Sequence, residues 1–285
     1  MLRSEWLSSF AHFAEDLNFT RAAQRLHISQ PALHVQIRRL AEAVGVPLYV
    51  RAGRSLALTR EGEALRAHAR DAAARDSDVR ARLSGERSGP VVLSAGEGAY
   101  RYLLGPALRA YLRGGHAPLS LLTRDREGTA HAVASGEADL GVASFDRVPE
   151  GLVATPLAAV GPMLVMPRAH RLSKKRVVHL AELADLALIV PPAGRPHRTA
   201  LAAALAAAGV PWRVAVEASG WDLMLHFAAM GLGLTVVNDF CQLPRGLVGR
   251  PLEGLLPVRY VLLSRAGAPR PAATLLRQAI THATR

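Results

Sequence analysis

One short segment with a helix-starting pattern most constrains how this chain can fold. Ser29 stands before Pro31, and a serine cap followed by proline in the first turn favours the start of a helix. Leu33, Ile37 and Leu40 then recur at intervals of three and four residues, which gives that helix a single apolar edge. The pattern predicts a short helix that buries this edge against neighbouring elements and leaves its opposite face in solvent.

Two more helices and a hairpin are predicted around this segment. Aromatic and aliphatic residues recur at helical spacing through 6–17, and Thr20 is the predicted cap of a second helix over 21–27. Strand-like pieces at 48–51 and 55–58 flank a turn that contains glycine. Three helices followed by a hairpin predict an all-α winged helix-turn-helix module.

The next segment, 59–88, has the composition of a long helix that links two domains. Alanine, arginine and acidic residues dominate it, and all three favour helix. Apolar or small residues alternate at four and three positions, interrupted by one acid, as Leu65, Ala69, Ala72, Asp76, Val79 and Leu83. We expect this helix to pair with its counterpart in a second copy, and a solvated linker helix is the alternative.

From residue 89 onward, strand-like and helix-like segments alternate, which predicts helices covering open, mostly parallel sheet. Open sheets of this class bind ligands at the carboxyl ends of their strands. The sequence therefore predicts three domains: 1–58, the linker 59–88, and an α/β domain over 89–285.

Charge and cysteine content narrow the function. The formal net charge is +12, and all but two of the 35 basic residues are arginine. Between Thr20 and Arg60 seven arginines face one acid, Glu42, which is the pattern of a protein that binds a polyanion. The single cysteine, Cys241, excludes an intrachain disulfide, and we expect either a packed core thiol or, as the less favoured alternative, a redox thiol.

The run from Phe10 to Gly62 resembles the DNA-binding module of LysR-type transcriptional regulators. The matching pieces are FTRAA at 19–23, SQPAL at 29–33, IRRL at 37–40, and the single or paired residues Leu26, Gly45, Leu48, Arg51, Gly53, Arg54, Leu58, Thr59 and Gly62. The rest of the chain resembles the effector domain of that family more loosely. The resemblance implies a periplasmic-binding-protein-like domain of two α/β lobes, the first about 89–160 plus 258–285 and the second about 161–257.

The resemblance also implies which residues meet DNA. Positions matching Gln30, Pro31, His34 and Val35 face the bases in the family, which usually has serine at the position of His34. Because glutamine can pair with the edge of adenine, Gln30 is a candidate for reading that base, and Pro31 and Val35 are candidates for packing on thymine methyl groups. The other predicted DNA-binding residues are Thr20, Arg21, Ser29, Arg38, Arg39, Arg51 and Arg54. An exposed histidine with no role is the alternative for His34.

The effector cleft is predicted from loops at strand ends. The loop after the strand 91–95 should offer free backbone N–H groups to an anion, but Glu97 lies within it, where a carboxylate would repel one. A solvent-facing Glu97 is the alternative. In the family this loop often carries serine and threonine, and here the matching positions are Gly96 and Gly98. The further candidates are Tyr100, Thr123, Arg124, Ser144, Pro191, His197, Arg198, Ser219 and Asn238.

Other classes of protein fit less well. The sequence contains no G-x-S-x-G elbow, P-loop or H-E-x-x-H, so we expect no enzyme activity, no cofactor and no metal site. An architectural protein that binds DNA by charge alone would need no ligand cleft. Predicted partners are double-stranded DNA, a small-molecule effector, further copies of the chain as a dimer or tetramer, and RNA polymerase. With no membrane segment or signal peptide expected, the predicted location is the cytoplasm, at the nucleoid.

Overall fold

The computed structural model describes residues 3–53, 55–84, 89–145, 147–267 and 269–284. The first module contains the helices α1 Ser4–Asp16, α2 Phe19–Arg25 and α3 Gln30–Val44, followed by the antiparallel strands β1 Tyr49–Ala52 and β2 Ser55–Leu58. This is the predicted winged helix-turn-helix. Arg54, predicted to contact DNA, lies outside the described residues.

The core of this module forms where the apolar edges of the three helices meet. Phe10, Phe13 and Leu33 are fully buried, and the rings of Phe13 and Phe19 lie 4.3 Å apart. The hydroxyl of Ser29 accepts a hydrogen bond from Ala32 N–H at 3.3 Å, so Ser29 caps α3 as predicted. A tightly packed core this small fixes the direction in which the exposed face of α3 points.

The cap of α2 corrects one prediction. Asn18, not Thr20, caps this helix, because the Asn18 side chain accepts from Arg21 N–H at 3.1 Å. The helix therefore begins at the apolar Phe19, which is buried against the ring of Phe13. Thr20 lies inside the first turn and donates its hydroxyl to Gln30 Oε1 at 3.2 Å.

The long helix α4 Arg60–Ser84 follows the hairpin directly. Gly62 lets α4 approach the wing, because a Cβ at this position would stand 2.0 Å from the carbonyl oxygen of Leu48. Within the predicted seam, Leu65 and Ala69 are buried in this chain itself, whereas Val79 and Leu83 are exposed. Only the second half of the seam is therefore open to another copy.

Two mixed sheets make up the remainder of the chain. The first, lobe one, has strand order β4-β3-β5-β13-β6, and the second, lobe two, has order β10-β9-β11-β7-β12-β8. The strands of lobe one are β3 Val91–Ala95, β4 Leu119–Thr123, β5 Leu140–Ser144, β6 Leu152–Val160 and β13 Val258–Arg265. Those of lobe two are β7 Pro162–Pro167, β8 Val178–His179, β9 Ala187–Val190, β10 Arg213–Glu217, β11 Leu234–Asn238 and β12 Leu247–Glu253.

Helices cover the faces of both sheets. They are α5 Gly105–Arg113, α6 Arg126–Ala134 and α9 Pro271–Ala283 in lobe one, and α7 Pro196–Ala207 and α8 Trp221–Ala229 in lobe two. A π-helical turn, Ala99–Leu103, precedes α5. Each lobe has its own apolar core, so neither depends on the other to bury its sheet.

The expectation of a mostly parallel sheet is corrected by the strands that pass between the lobes. Chain segments β6–β7 and β12–β13 cross from one lobe to the other, and β13 pairs antiparallel with both β5 and β6. In lobe two, β7 pairs antiparallel with β11 and β12. The return strands β6 and β12 were not predicted, and they contribute two of these four antiparallel pairs, β6–β13 and β12–β7.

Lobe one holds α4 through a clustered set of charged contacts. Arg265, at the end of β13, donates to both carboxylate oxygens of Asp71 at 2.9 and 2.5 Å and to the carbonyl oxygen of Ala138. Gly136 lies against the backbone of Ala67, where a Cβ would meet it at 3.2 Å. The linker helix is therefore anchored to lobe one by a two-pronged ion pair and a close backbone contact.

Candidate nucleic-acid interface and effector cleft

The exposed face of α3 presents a row of side chains free of the core. Gln30, Pro31, His34, Val35, Arg38 and Arg39 are all exposed. The opposite edge, Leu33, Ile37 and Leu40, is no more than 1% exposed. The first turn of α3 therefore projects outward, as helix-turn-helix recognition requires.

Two of these side chains are held in place by α2. The Thr20 hydroxyl donates to Gln30 Oε1, which leaves the second lone pair of that oxygen and both amide hydrogens available. The His34 ring stacks on Phe19 with centroids 3.6 Å apart and planes 16° apart. His34 is thus an oriented side chain, not a loose surface histidine.

The basic residues around α3 differ in how free they are. Arg21, Arg39 and Arg51 are exposed, and Arg38 forms an exposed pair with Glu42 at 3.5 Å. Arg25 is bound to Glu15 and Asp16 at 3.0 and 3.1 Å, so its charge is offset within the module. The charge available to a polyanion is therefore located on Arg21 of α2, on α3 and on the wing.

A cleft of about 680 Å³ lies between the two lobes. Residues predicted from strand-end loops meet here, although they come from both sheets: Gly96, Glu97, Gly98, Thr123, Arg124, Ser144, Pro191, His197, Ser219 and Asn238 line it. Further lining residues that the sequence did not single out include Arg101, Tyr102, Asp125, Arg195, Trp221, Asp222, Met224, Arg259 and Tyr260. The cleft is shared between the lobes, so its shape depends on their angle.

Polar contacts join the lobes on two sides of this cleft. Asp222 of lobe two accepts from Arg101 Nε at 2.8 Å and also from the Tyr102 hydroxyl. At a separate point Arg195 approaches the Asp125 carboxylate at 3.7 Å. These contacts hold the lobes in the arrangement described.

Burial controls the protonation of His197 in the cleft wall. Its Nε2 lies 2.8 Å from the carbonyl oxygen of Val236, which can only accept, so Nε2 carries the proton. Desolvation lowers the pKa of His197, with the Val236 carbonyl opposing it. The ring is therefore neutral near pH 7, and its Nδ1 is an acceptor.

Two family models cover nearly the whole chain. The model described as the LysR substrate binding domain matches residues 84–285, and that of the bacterial regulatory helix-turn-helix protein, lysR family, matches residues 4–63. This chain belongs to the LysR family. It is a LysR-type DNA-binding transcription regulator with an effector-binding domain, and the family comprises regulators, not enzymes, as predicted.

Relatives of known sequence and structure agree with the family. The HTH-type transcriptional regulator XapR of Escherichia coli strain K12 is 28% identical over 284 residues, with 96% of each chain covered. The full-length OxyR variant from Pseudomonas aeruginosa has a TM-score of 0.72 at 24% identity, covering 98% of this chain and 95% of that one. Full-length CbnR complexed with its target DNA has a TM-score of 0.60 at 23% identity, with 99% of each chain covered. These structures share the fold of this LysR-type regulator.

Two predicted effector residues lie outside the cleft wall of this LysR-type regulator. The Tyr100 hydroxyl donates to the carbonyl oxygens of Leu93 and Leu122 at 2.6 and 3.0 Å, which ties its ring to the sheet of lobe one. Arg198 donates to the carbonyl oxygen of Pro191 at 3.1 Å and pairs with Glu217. Both side chains bind protein groups near strand ends and neither lines the cleft, which differs from the prediction that they face a ligand.

The remaining chemistry of this LysR-type regulator is limited. Cys241 is buried in the core of lobe two, and burial raises the pKa of its thiol to about 12. In the part of the chain that the structure describes, no group of three or more His, Cys, Asp or Glu residues could hold a metal ion. Nor does any helix in that part have the length and apolar character needed to cross a bilayer.

Proposed function

We propose that the first turn of α3 reads base pairs in the major groove of duplex DNA, with Gln30, Pro31, His34 and Val35 as the base-facing residues. The single observation that carries this is the exposure of that turn on a helix whose other edge is fully buried. Residues that project from the start of a rigid helix reach base edges without rearrangement of the module.

Gln30 is the residue proposed to read adenine. Adenine offers N7 as an acceptor and the N6 amine as a donor in the major groove, and a carboxamide matches both. The hydrogen bond from Thr20 fixes the Gln30 amide before DNA arrives, so less conformational entropy is lost on binding. Pro31 and Val35 supply apolar contact for thymine methyl groups.

Arginines around this turn are proposed to hold the phosphate backbone. Arg21, Arg38 and Arg39 flank the exposed turn, and Arg51 lies on the wing strand β1. Ser29 and Thr20 lie at the same end of α3 and complete the predicted contact surface, together with Arg54 in the wing turn. Phosphate contacts set affinity and register, while base contacts set the preferred sequence.

We further propose that a small molecule in the cleft modulates the DNA-bound assembly. Binding between the lobes would change their angle and shift the population between two assemblies, provided that the ligand prefers one of them. In this proposal each predicted domain has one role. DNA is read by residues 1–58, two copies of the chain pair through 59–88, and the effector binds to 89–285. The same proposal includes a tetramer that places two pairs of winged helix-turn-helix modules on one DNA. It also includes contact with RNA polymerase and a cytoplasmic location at the nucleoid.

The structure offers a route for such coupling. Helix α6 begins beside the cleft, where Asp125 caps it, and ends at Ser135, whose carbonyl oxygen accepts from Arg70 of α4 at 3.3 Å. Arg70 also lies 3.7 Å from Glu15 in α1. Movement of α6 would therefore displace Arg70 in the linker helix and, through Glu15, the DNA-reading module.

The test is selection of preferred sites from random duplex DNA, followed by titration of the selected duplex with Gln30→Ala. We expect a loss of about 1–3 kcal/mol on the selected site and a relaxed base preference at one position. Gln278→Ala, an exposed glutamine on the distant α9, is the matched control and should change nothing. An unchanged base preference in Gln30→Ala would show that α3 does not read bases through this residue.

Arg51→Ala tests the phosphate assignment. Affinity should fall on every duplex alike, and the slope of log affinity against log salt should decrease in magnitude by about 1. Arg213→Ala, which removes an exposed arginine from lobe two, should leave both quantities as they are. A protein that shows equal affinity for selected and random DNA would instead be an architectural one.

A further inference from the structure

Glu97 is the cleft carboxylate that lacks a cationic partner. Of the three acidic residues in the cleft wall, Asp222 pairs with Arg101 and Asp125 with Arg195. Within the described ranges no ion pair involves Glu97, although its carboxylate lines the cleft and lies 3.8 Å from the Cβ position of Gly220 across it. Glu97 interacts electrostatically with Arg101, but that guanidinium is already paired with Asp222.

Two of the backbone N–H groups near Glu97 are not available to an anion. The N–H groups of Ala99 and Tyr100 both donate to the carbonyl oxygen of Gly96, at 3.0 and 3.2 Å, so they are not offered to a ligand. Gly96 and Gly98 bring no hydroxyl. The indole of Trp221 covers Gly98 instead, because a Cβ there would stand 2.9 Å from its Cδ1 and Nε1.

Two further groups in the cleft accept hydrogen bonds. Asn238 is 2% exposed, and its Oδ1 has no hydrogen-bond partner among the residues that the structure describes. His197 offers Nδ1 as an acceptor because its proton is on Nε2. An orphaned buried acceptor is costly, so a ligand that donates to Asn238 Oδ1 gains the free energy of satisfying it.

Most arginines of the cleft are paired with carboxylates, so they do not make the cleft favour an anionic ligand. Arg101 is held by Asp222, Arg195 faces Asp125, and Arg124 lies 3.4 Å from Glu137. Arg126 approaches Glu127 at 3.8 Å. Arg259 and Glu97 are both exposed, so water screens both charges, and the preference rests on direct hydrogen bonds to the acceptors of the cleft.

We propose that the effector of this cleft is a small organic cation: a protonated amine or amidine on an apolar, ring-containing body. The inference rests on the proposed function, in which the cleft holds the effector. Glu97 receives the charged N–H group, and Asn238 Oδ1 accepts a second donor. Trp221 and Tyr260 offer aromatic surface to the body and to the cation itself. The volume of about 680 Å³ suits a molecule of this size.

The experiment compares probes that share a body and differ in charge. Benzamidine is paired with benzoate, and tryptamine with indole-3-acetate, each titrated into the full chain by calorimetry without DNA. We expect each cation to bind at least about tenfold more tightly than its carboxylate twin, since hydrogen bonds to charged groups are the stronger class.

Glu97→Gln keeps the shape of the side chain and removes its charge, and it should weaken both cations about tenfold. Glu253→Gln is the matched control, because Glu253 is an exposed glutamate of lobe two that does not line the cleft. Carboxylates that bind as tightly as the cations, cation affinity unchanged in Glu97→Gln, or no binding of either cation would each overturn the proposal.

Titration of the selected duplex with the same protein samples separates this inference from the proposed function. If the cations fail to bind while DNA binding is intact, the effector class is wrong and the DNA-reading function stands. If the cations bind selectively while sequence-specific DNA binding is absent, the effector class stands and the DNA-reading function is wrong.

Discussion

The DNA-reading face and the effector cleft are built in opposite ways. The DNA-reading face consists of residues from α2 and α3, which are neighbours in the sequence, and one small core fixes its orientation. The cleft wall draws on residues from Gly96 to Tyr260 in two separate sheets, and contacts between lobes aim it. A local site is specified by its own segment, whereas a site between lobes is specified by how two independently folded bodies meet.

The largest effect that separates the two regions should come from Leu33→Ala. This side chain is fully buried in the small core under α3, and its loss should destabilise the module by about 3 kcal/mol. We expect sequence-specific DNA binding to collapse while benzamidine affinity in the cleft stays unchanged, as measured by calorimetry. A parallel loss of cleft binding would contradict the independence of the two regions.

Gly98→Ala should damage the cleft and spare the DNA-reading face. The new Cβ would stand 2.9 Å from the Trp221 indole, so the ring must shift, which disturbs its edge contact with His197 at 4.6 Å. Overpacking of this kind destabilises by about 1–3 kcal/mol. Thermal unfolding measures it, and Trp221→Phe should relieve part of the loss in a double-mutant cycle. Additive effects would show that the two residues do not press on each other.

Acid should weaken the cleft through His197. Burial lowers the pKa of this histidine in the folded state, so the unfolded chain binds the proton more readily. The stability that neutral His197 contributes is complete above the unfolded pKa of about 6.5 and is lost as pH falls through the lower folded value.

The measurement is the melting temperature from pH 7.5 to pH 5. Wild type should lose more stability over this range than His197→Phe. The pKa of His170 is also lowered, mainly by burial. Because His170 is present in both proteins, its contribution to the loss of stability cancels in the comparison. Equal losses in the two proteins would remove His197 as the acid-sensitive group.

The smallest effect is expected at Cys241. Its thiol is buried and burial raises its pKa to about 12, so almost no thiolate exists near neutral pH. Iodoacetamide at pH 8 should leave the native protein unlabelled and label it fully in urea, as read by mass spectrometry. Labelling of the native chain would restore the redox alternative.

The sequence predicted the DNA-reading module in detail because its determinants are local. Ser29, Pro31 and the apolar edge of α3 all lie within about three turns of one helix, and the structure has them in those roles. The cap of α2 was misplaced by two residues because threonine and asparagine are both good caps, and the helix begins at Phe19, whose ring is buried against Phe13.

The return strands and the cleft contacts were missed for a different reason. Strand β6 contains Pro156, and β12 contains Gly249 and Pro251, residues that argue against a strand when seen alone. Gly249 is needed because Met163 on the neighbouring strand fills the space of a Cβ. The approach of Trp221 to Gly98 likewise depends on the meeting of two lobes, which no local pattern encodes.

Strand β13 starts in the cleft wall, at Val258 and Tyr260, and ends at Arg265, which grips Asp71 of the linker helix. This strand of eight residues therefore lines the cleft at its first residues and contacts the linker helix α4 at its last residue. Because β13 is hydrogen-bonded to β5 and β6 on either side, we expect a displacement at its beginning to reach its end, past the register shift between Tyr260 and Val261. A regulator assembled this way needs no unfolding step to transmit occupancy.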